Sequence, residues 1–130
     1  MSIETLIKEA LTAREFARAS FSNFRVGAIL VTQNDKIYRG CNIETSSYGL
    51  TVCAERVAIF KAVSVGEKEF KSIFIASDSE KFTTPCGACR QVLWELAGNI
   101  DVFMINRLGE YQKSSMKELL PFGFDKSFLI

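Results

Sequence analysis

Leu6, Ile7, Ala10, Leu11, Arg14 and Ala17 fall at helical spacing, which predicts a helix over about 3–18. Ser2 is placed to cap it, and Glu4 puts negative charge in its first turn, where the helix dipole favours it. The pattern then changes. RVGAILVT (25–32) is short, apolar and rich in β-branched residues, as a buried strand is. QND supplies a turn, and KIYRGCNIE (36–44) reads as the partner strand of a hairpin. TSSYGLTV (45–52) is a loop, and CAERVAIFKAVS (53–64) returns to a helical pattern. KSIFIASD (71–78) is a third strand, CGACRQVLWEL (86–96) a further helix, and IDVFMIN (100–106) a fourth strand. RLGE (107–110) makes a turn, and a short strand is expected near Tyr111. Ser115 and Glu118 form a capping box for a last short helix, followed by an aromatic tail.

The order α-β-β-α-β-α-β-β-α alternates strands with crossover helices. It implies an α/β fold of three α/β/α layers around a mixed five-stranded sheet. Two prolines and no Ser/Gly-rich linker, repeat or charge block interrupt the chain. One domain over 1–130 is therefore expected.

Charge narrows the function. Sixteen basic and fifteen acidic residues leave a net charge of +1, without the basic surplus of a nucleic-acid binder. The longest apolar runs are strand-sized, so no membrane span is expected. The start of the chain lacks the basic and apolar regions of a secretory signal, so the cytoplasm is the expected compartment. There, four cysteines suit metal binding, a reactive thiol or burial better than disulfides. Histidine is absent. Ser-His-Asp triads, Cys-His pairs and His-ligated metal sites are thereby excluded. The eleven phenylalanines and a mean hydropathy of +0.11 suggest that some apolar surface is buried between subunits.

Both central helices begin at a cysteine. Cys53 opens one; Cys86 and Cys89, at i and i+3, share a face of the other's first turn. Helix N-termini favour thiolates. Three thiolates aimed at one point can hold a tetrahedral zinc with one position open, the arrangement of a catalytic rather than a structural site. Glu55 follows Cys53 by two residues and can reach that open position to move protons. Arg56, at i+3 from Cys53, can donate to a thiolate and offset the excess negative charge of three thiolates. Asn42 and Glu44 lie at i and i+2 on an expected strand, facing one way. An amide beside a carboxylate can pair one hydroxyl as donor and acceptor.

TVCAER followed by TTPCGACRQ resembles the zinc signature of the cytidine deaminase family. FSNFRVGAIL, YRGCNIE and KELLPFGF extend the resemblance over nearly the whole chain, nearest to the short three-cysteine type. The resemblance implies one Zn²⁺ per subunit on Cys53, Cys86 and Cys89, with Glu55 as catalytic acid and base. It implies sugar contacts from Asn42 and Glu44, base packing by Phe24, a backbone contact from Ala54 and an acceptor carbonyl at Thr84. It further implies a homotetramer with sites near subunit interfaces, completed by Tyr48 and Phe124 of a neighbour. The expected reaction is hydrolytic deamination of cytidine and deoxycytidine to uridine and deoxyuridine, a step of pyrimidine salvage. The chain departs from the family in carrying Ser20-Phe21 where Pro-Tyr is common. Its tail leaves the choice between Phe122 and Phe124 open.

Other readings stand beside this one. A relative acting on a nucleoside antibiotic such as blasticidin S would share the zinc motifs. Cys41 fits a small buried apolar residue; as a fourth ligand it would close the site into a non-catalytic Cys₄ module. A CxxC redox pair would leave Cys53 idle. Trp94 reads as packing, Glu44 alone as a solvated strand-end charge, and Tyr48 and Phe124 equally as interface residues.

Overall fold

A computed structural model describes residues 1–129. Its elements are α1 (Ile3–Arg14), β1 (Val26–Thr32), β2 (Ile37–Cys41), α2 (Ala54–Ser64), β3 (Phe70–Ser77), α3 (Gly87–Ala97), β4 (Asp101–Ile105), β5 (Tyr111–Ser115) and α4 (Met116–Leu119), with short 3₁₀ turns at Tyr48–Leu50 and Lys126–Leu129. The sheet runs β2-β1-β3-β4-β5 among the described residues. β3 and β4 are parallel across the α3 crossover, and the other neighbours are antiparallel. It is the mixed five-stranded sheet expected.

Strand alternation divides the interior in two. Ala28, Leu30, Ile73, Ile75, Val102 and Met104 face α2 and α3. Their neighbours Ile29, Val31, Phe74, Ala76, Phe103 and Ile105 face α1. Period-two geometry thus gives each central strand two buried faces, which is why β1, β3 and β4 read as apolar runs and not as alternating patterns. Phe74 and Phe103 stack across the parallel pair with ring centroids 4.2 Å apart.

Two glycines set how closely the helices approach. A Cβ on Gly27 would lie 2.3 Å from the Ala10 carbonyl oxygen of α1, and one on Gly40 would lie 2.2 Å from the Ala54 carbonyl oxygen of α2. Only a residue without a side chain permits these contacts.

α1 and β2 end several residues before the sequence pattern predicts. α1 ends at Arg14, not near 18, with Glu15 as its C-cap. Arg14 donates to the Ser77 carbonyl at 3.1 Å, and the Arg18 N–H is taken by the Asn42 carbonyl at 2.9 Å. Tertiary partners take over from the helical ones. β2 ends at Cys41, not at Glu44, because Ile43 turns away to bridge Arg18 and Val52.

Candidate active site and metal centre

The N-termini of α2 and α3 point at one spot. Cys53 and Cys86 are the N-cap residues of the two helices, and Cys89 lies in the first turn of α3. The Cys53 and Cys86 sulfurs are 3.8 Å apart, and those of Cys86 and Cys89 are 3.4 Å apart. All three fall within 4.8 Å of one another. Sulfurs bound tetrahedrally at about 2.3 Å from zinc stand about 3.8 Å apart, so the cluster fits the ion. Cys41 is not in the cluster. It lies beside Ala13, Phe16 and Val57 in a different cavity, and burial pushes its thiol up. A Cys₄ centre is thereby ruled out among the described residues.

The thiols share their protons unequally. A hydrogen bond from Cys89, together with Arg56 and Cys86, brings Cys53 down to about 5 against its desolvation. Cys89 is raised by the same pairing and by burial. Arg56 Nη2 donates to Cys53 Sγ at 3.5 Å, the contact expected from its spacing. The thiolate contact in turn raises the guanidinium. Thiolates are the form that binds a metal.

Glu55 is 4% exposed. Burial pushes its carboxyl up to about 7, and the negative Cys53 adds to the rise. It opens into a cavity of about 290 Å³ that also meets Cys53, Cys86, Phe24, Asn42, Glu44, Ala54 and Thr84. Most of the predicted site residues therefore converge, although they come from four separate chain segments.

Asn42 and Glu44 are held by the backbone beside them. Asn42 Oδ1 accepts from the Val26 N–H at 2.9 Å, and its Nδ2 donates to the Phe24 carbonyl at 2.8 Å. One lone pair and one N–H of the amide are left over. Glu44 Oε1 accepts from the N–H groups of Phe21 and Ser22, both at 3.0 Å. Its Oε2 accepts from the Ser22 hydroxyl. These donors, the Ser22 hydroxyl foremost, hold the Glu44 carboxyl below its ordinary value.

Tyr48 and Phe124 stay outside the cavity. Tyr48 is 73% exposed and meets Phe21 edge-on at 5.6 Å. Phe124 stacks on Phe128 at 5.1 Å, and its carbonyl accepts from Gln91 Nε2 of α3 at 2.7 Å. Phe122 is fully exposed at φ 58°.

Ser22, Val26, Thr51 and Thr83 also line the cavity, and the sequence reading does not select them. Thr83 anchors the loop before α3 by donating to the Ile105 carbonyl at 2.7 Å. Arg90 fixes the same loop, donating to the carbonyls of Pro85 at 2.8 Å and Leu119 at 2.9 Å. The CRQ of the motif is the only signal that pointed near Arg90.

A cavity that reaches two of three converging thiols and a buried carboxylate belongs to a zinc enzyme, not to a zinc knuckle that merely staples a fold. The comparisons narrow the class. A family model described as the cytidine and deoxycytidylate deaminase zinc-binding region matches residues 1–105, and the chain belongs to that family. It is 45% identical over 130 residues to a cytidine deaminase of Sporosarcina psychrophila, covering 99% of this chain and 96% of that one. The crystal structure of a cytidine deaminase from Burkholderia pseudomallei superposes with a TM-score of 0.92 at 43% identity, covering 95% of this chain and all of that one. A blasticidin-S deaminase of Bacillus cereus is 34% identical over 110 residues, with 78% of each chain covered.

Proposed function

We propose that the protein hydrolyses the 4-amino group of cytidine and deoxycytidine, giving uridine or deoxyuridine and ammonia. The observation that carries this reading is one cavity joining the thiol cluster and Glu55 to Phe24, Asn42 and Glu44. The thiol cluster and the proposed hydroxyl-binding pair line the same cavity. The greater identity to cytidine deaminases than to a blasticidin-S deaminase supports the nucleoside over the antibiotic.

Zinc bound by Cys53, Cys86 and Cys89 supplies Lewis-acid activation of water near neutral pH. Glu55 takes a proton from the attacking water and delivers it to N3 of the ring. As the water oxygen bonds to C4, Glu55 takes the remaining proton of the added hydroxyl and passes it to the amine, and the C4–N bond breaks to leave the carbonyl and ammonia. Burial keeps bulk water from competing for these transfers. Arg56 offsets negative charge on Cys53. Phe24 packs on the base, Ala54 offers it a backbone contact, and the Thr84 carbonyl accepts from the amino group. The free lone pair and N–H of Asn42, with Glu44 Oε2, take the sugar hydroxyls.

The wider proposals follow the same reading. Residues 1–130 act as one domain, supported by a continuous sheet that both buried layers share. Tyr48 and Phe124 complete a neighbour's site in a homotetramer, supported by their exposure away from their own cavity. A cytoplasmic place in pyrimidine salvage is supported by three thiol ligands, which a reducing compartment keeps available. Among the described residues no helix is long and apolar enough to cross a membrane.

Ultraviolet absorbance of cytidine mixed with the purified protein, with ammonia release in parallel, tests the reaction. Conversion that stops with a zinc chelator and returns with zinc is expected. Zinc-loaded protein that leaves cytidine intact overturns the reading.

A further inference from the structure

Ser22 stands between two parts of the cavity. Its hydroxyl donates to Glu44 Oε2 and accepts from the Phe24 N–H at 3.1 Å. Its own N–H meets Glu44 Oε1 at 3.0 Å. Glu44 follows the end of β2, beyond the regular ladder, so strand hydrogen bonds do not orient its side chain. The backbone donors of Phe21 and Ser22 both fall on Oε1. The Ser22 hydroxyl is therefore the group that sets the rotation of the carboxylate about Oε1 and the direction of the free lone pairs on Oε2.

We infer that Ser22 is a positioning residue for sugar recognition, holding Glu44 Oε2 toward the nucleoside hydroxyl while its acceptor side fixes the backbone of Phe24. The inference rests on the proposed role of Glu44 as a hydroxyl acceptor. One side chain thereby links the residue that reads the sugar to the residue that packs on the base. Without it, Oε1 stays anchored and Oε2 swings, which weakens binding of the hydroxyl but leaves the chemistry at the thiol cluster untouched. Ser22 is exposed, and a threonine there keeps the hydroxyl.

Steady-state kinetics of Ser22→Ala, Ser22→Thr and Glu44→Gln test this with cytidine and with 2′,3′-dideoxycytidine, which lacks the 2′ and 3′ hydroxyls and keeps the 5′. Losing one hydrogen bond to a charged acceptor is worth a KM change on the order of tenfold. Ser22→Ala should raise KM for cytidine about tenfold, with kcat within about twofold and zinc content unchanged. Ser22→Thr should restore KM. With dideoxycytidine the effect of Ser22→Ala should shrink to the smaller part that passes through the Phe24 backbone. An equal KM increase on both substrates, or none on cytidine, overturns the role of Ser22. If Glu44→Gln leaves the KM for cytidine unchanged, the hydroxyl-binding role of Glu44 falls first and takes the inference with it. A Glu44→Gln effect without a Ser22→Ala effect removes the Ser22 role alone.

Discussion

Glu55 and Arg56 are adjacent residues with opposite charge and opposite proposed tasks, and each makes its own prediction. Glu55 is buried beside the thiols and ligates nothing in the cluster. Glu55→Gln should keep full zinc content and lose turnover by at least about 10²–10⁴-fold, the span of a general acid–base group. Metal analysis beside the absorbance assay checks both halves. Among the described residues, the Arg56 guanidinium donates to sulfur alone, at 3.5 Å from Cys53 Sγ. Arg56→Ala leaves the charge of the thiolates without a counterpart. Outer partners of metal ligands are worth about 10–100-fold in affinity or activity, so kcat should fall within that span, read by the same assay at saturating zinc.

Elements carry the site by close approach. Gly40 of β2 lets the start of α2, and so Cys53 and Glu55, lie against the sheet. Gly40→Ala must push the Ala54 carbonyl away, at a cost of about 1–3 kcal/mol for an overpacked contact. Tm and zinc content should both drop, whereas Gly49→Ala, which meets nothing within 4 Å, should change neither. Thermal melts and metal analysis compare the two. A second anchor is the pair that starts β1. Asp78 accepts from Arg25 Nε at 3.0 Å and Nη2 at 3.0 Å, and these bonds hold its carboxyl below the ordinary value. A depressed value in the folded state adds stability above the unfolded carboxylate's value of about 3.9. That stability is lost as pH falls through the folded value. Asp78→Asn should therefore lower Tm near neutral pH and converge with the parent protein in acid, which melts over a pH series will show.

At the scale of the whole molecule, one chain exposes much apolar surface. Its accessible area is 7544 Å², against about 6,900 Å² for a compact monomer of this mass. Tyr48, Leu50, Phe122, Phe124 and Phe128 are among the exposed apolar side chains. Surface of this kind is usually covered by partners. Sedimentation velocity should give a species near four times the 14.6 kDa of one chain. Phe124→Ala should weaken nucleoside binding through the neighbour's site. A monomer at micromolar concentration with full activity would remove that proposal.

The amino-acid sequence alone determined the element order, the mixed sheet and the three cysteines that meet in one cluster. Hydrophobic period is a local signal, and helix N-termini that begin at cysteine are visible without coordinates. Arg56 was legible for the same reason: an i+3 spacing on one helix fixes its distance from Cys53. Ser22, Thr83 and Arg90 were not legible, because their partners lie 22, 22 and 29 residues away. The end of α1 at Arg14 and of β2 at Cys41 followed the same logic. Helical and strand patterns run on past those points, and only long-range bonds from Arg14, Arg18 and Ile43 stop them. Tertiary structure alone excluded Cys41 from the cluster, since a cysteine's identity says nothing of which cavity it faces. It also decided that Asn42 and Glu44 share a cavity with Glu55, a convergence that chain spacing cannot encode and close packing of helices on a sheet can.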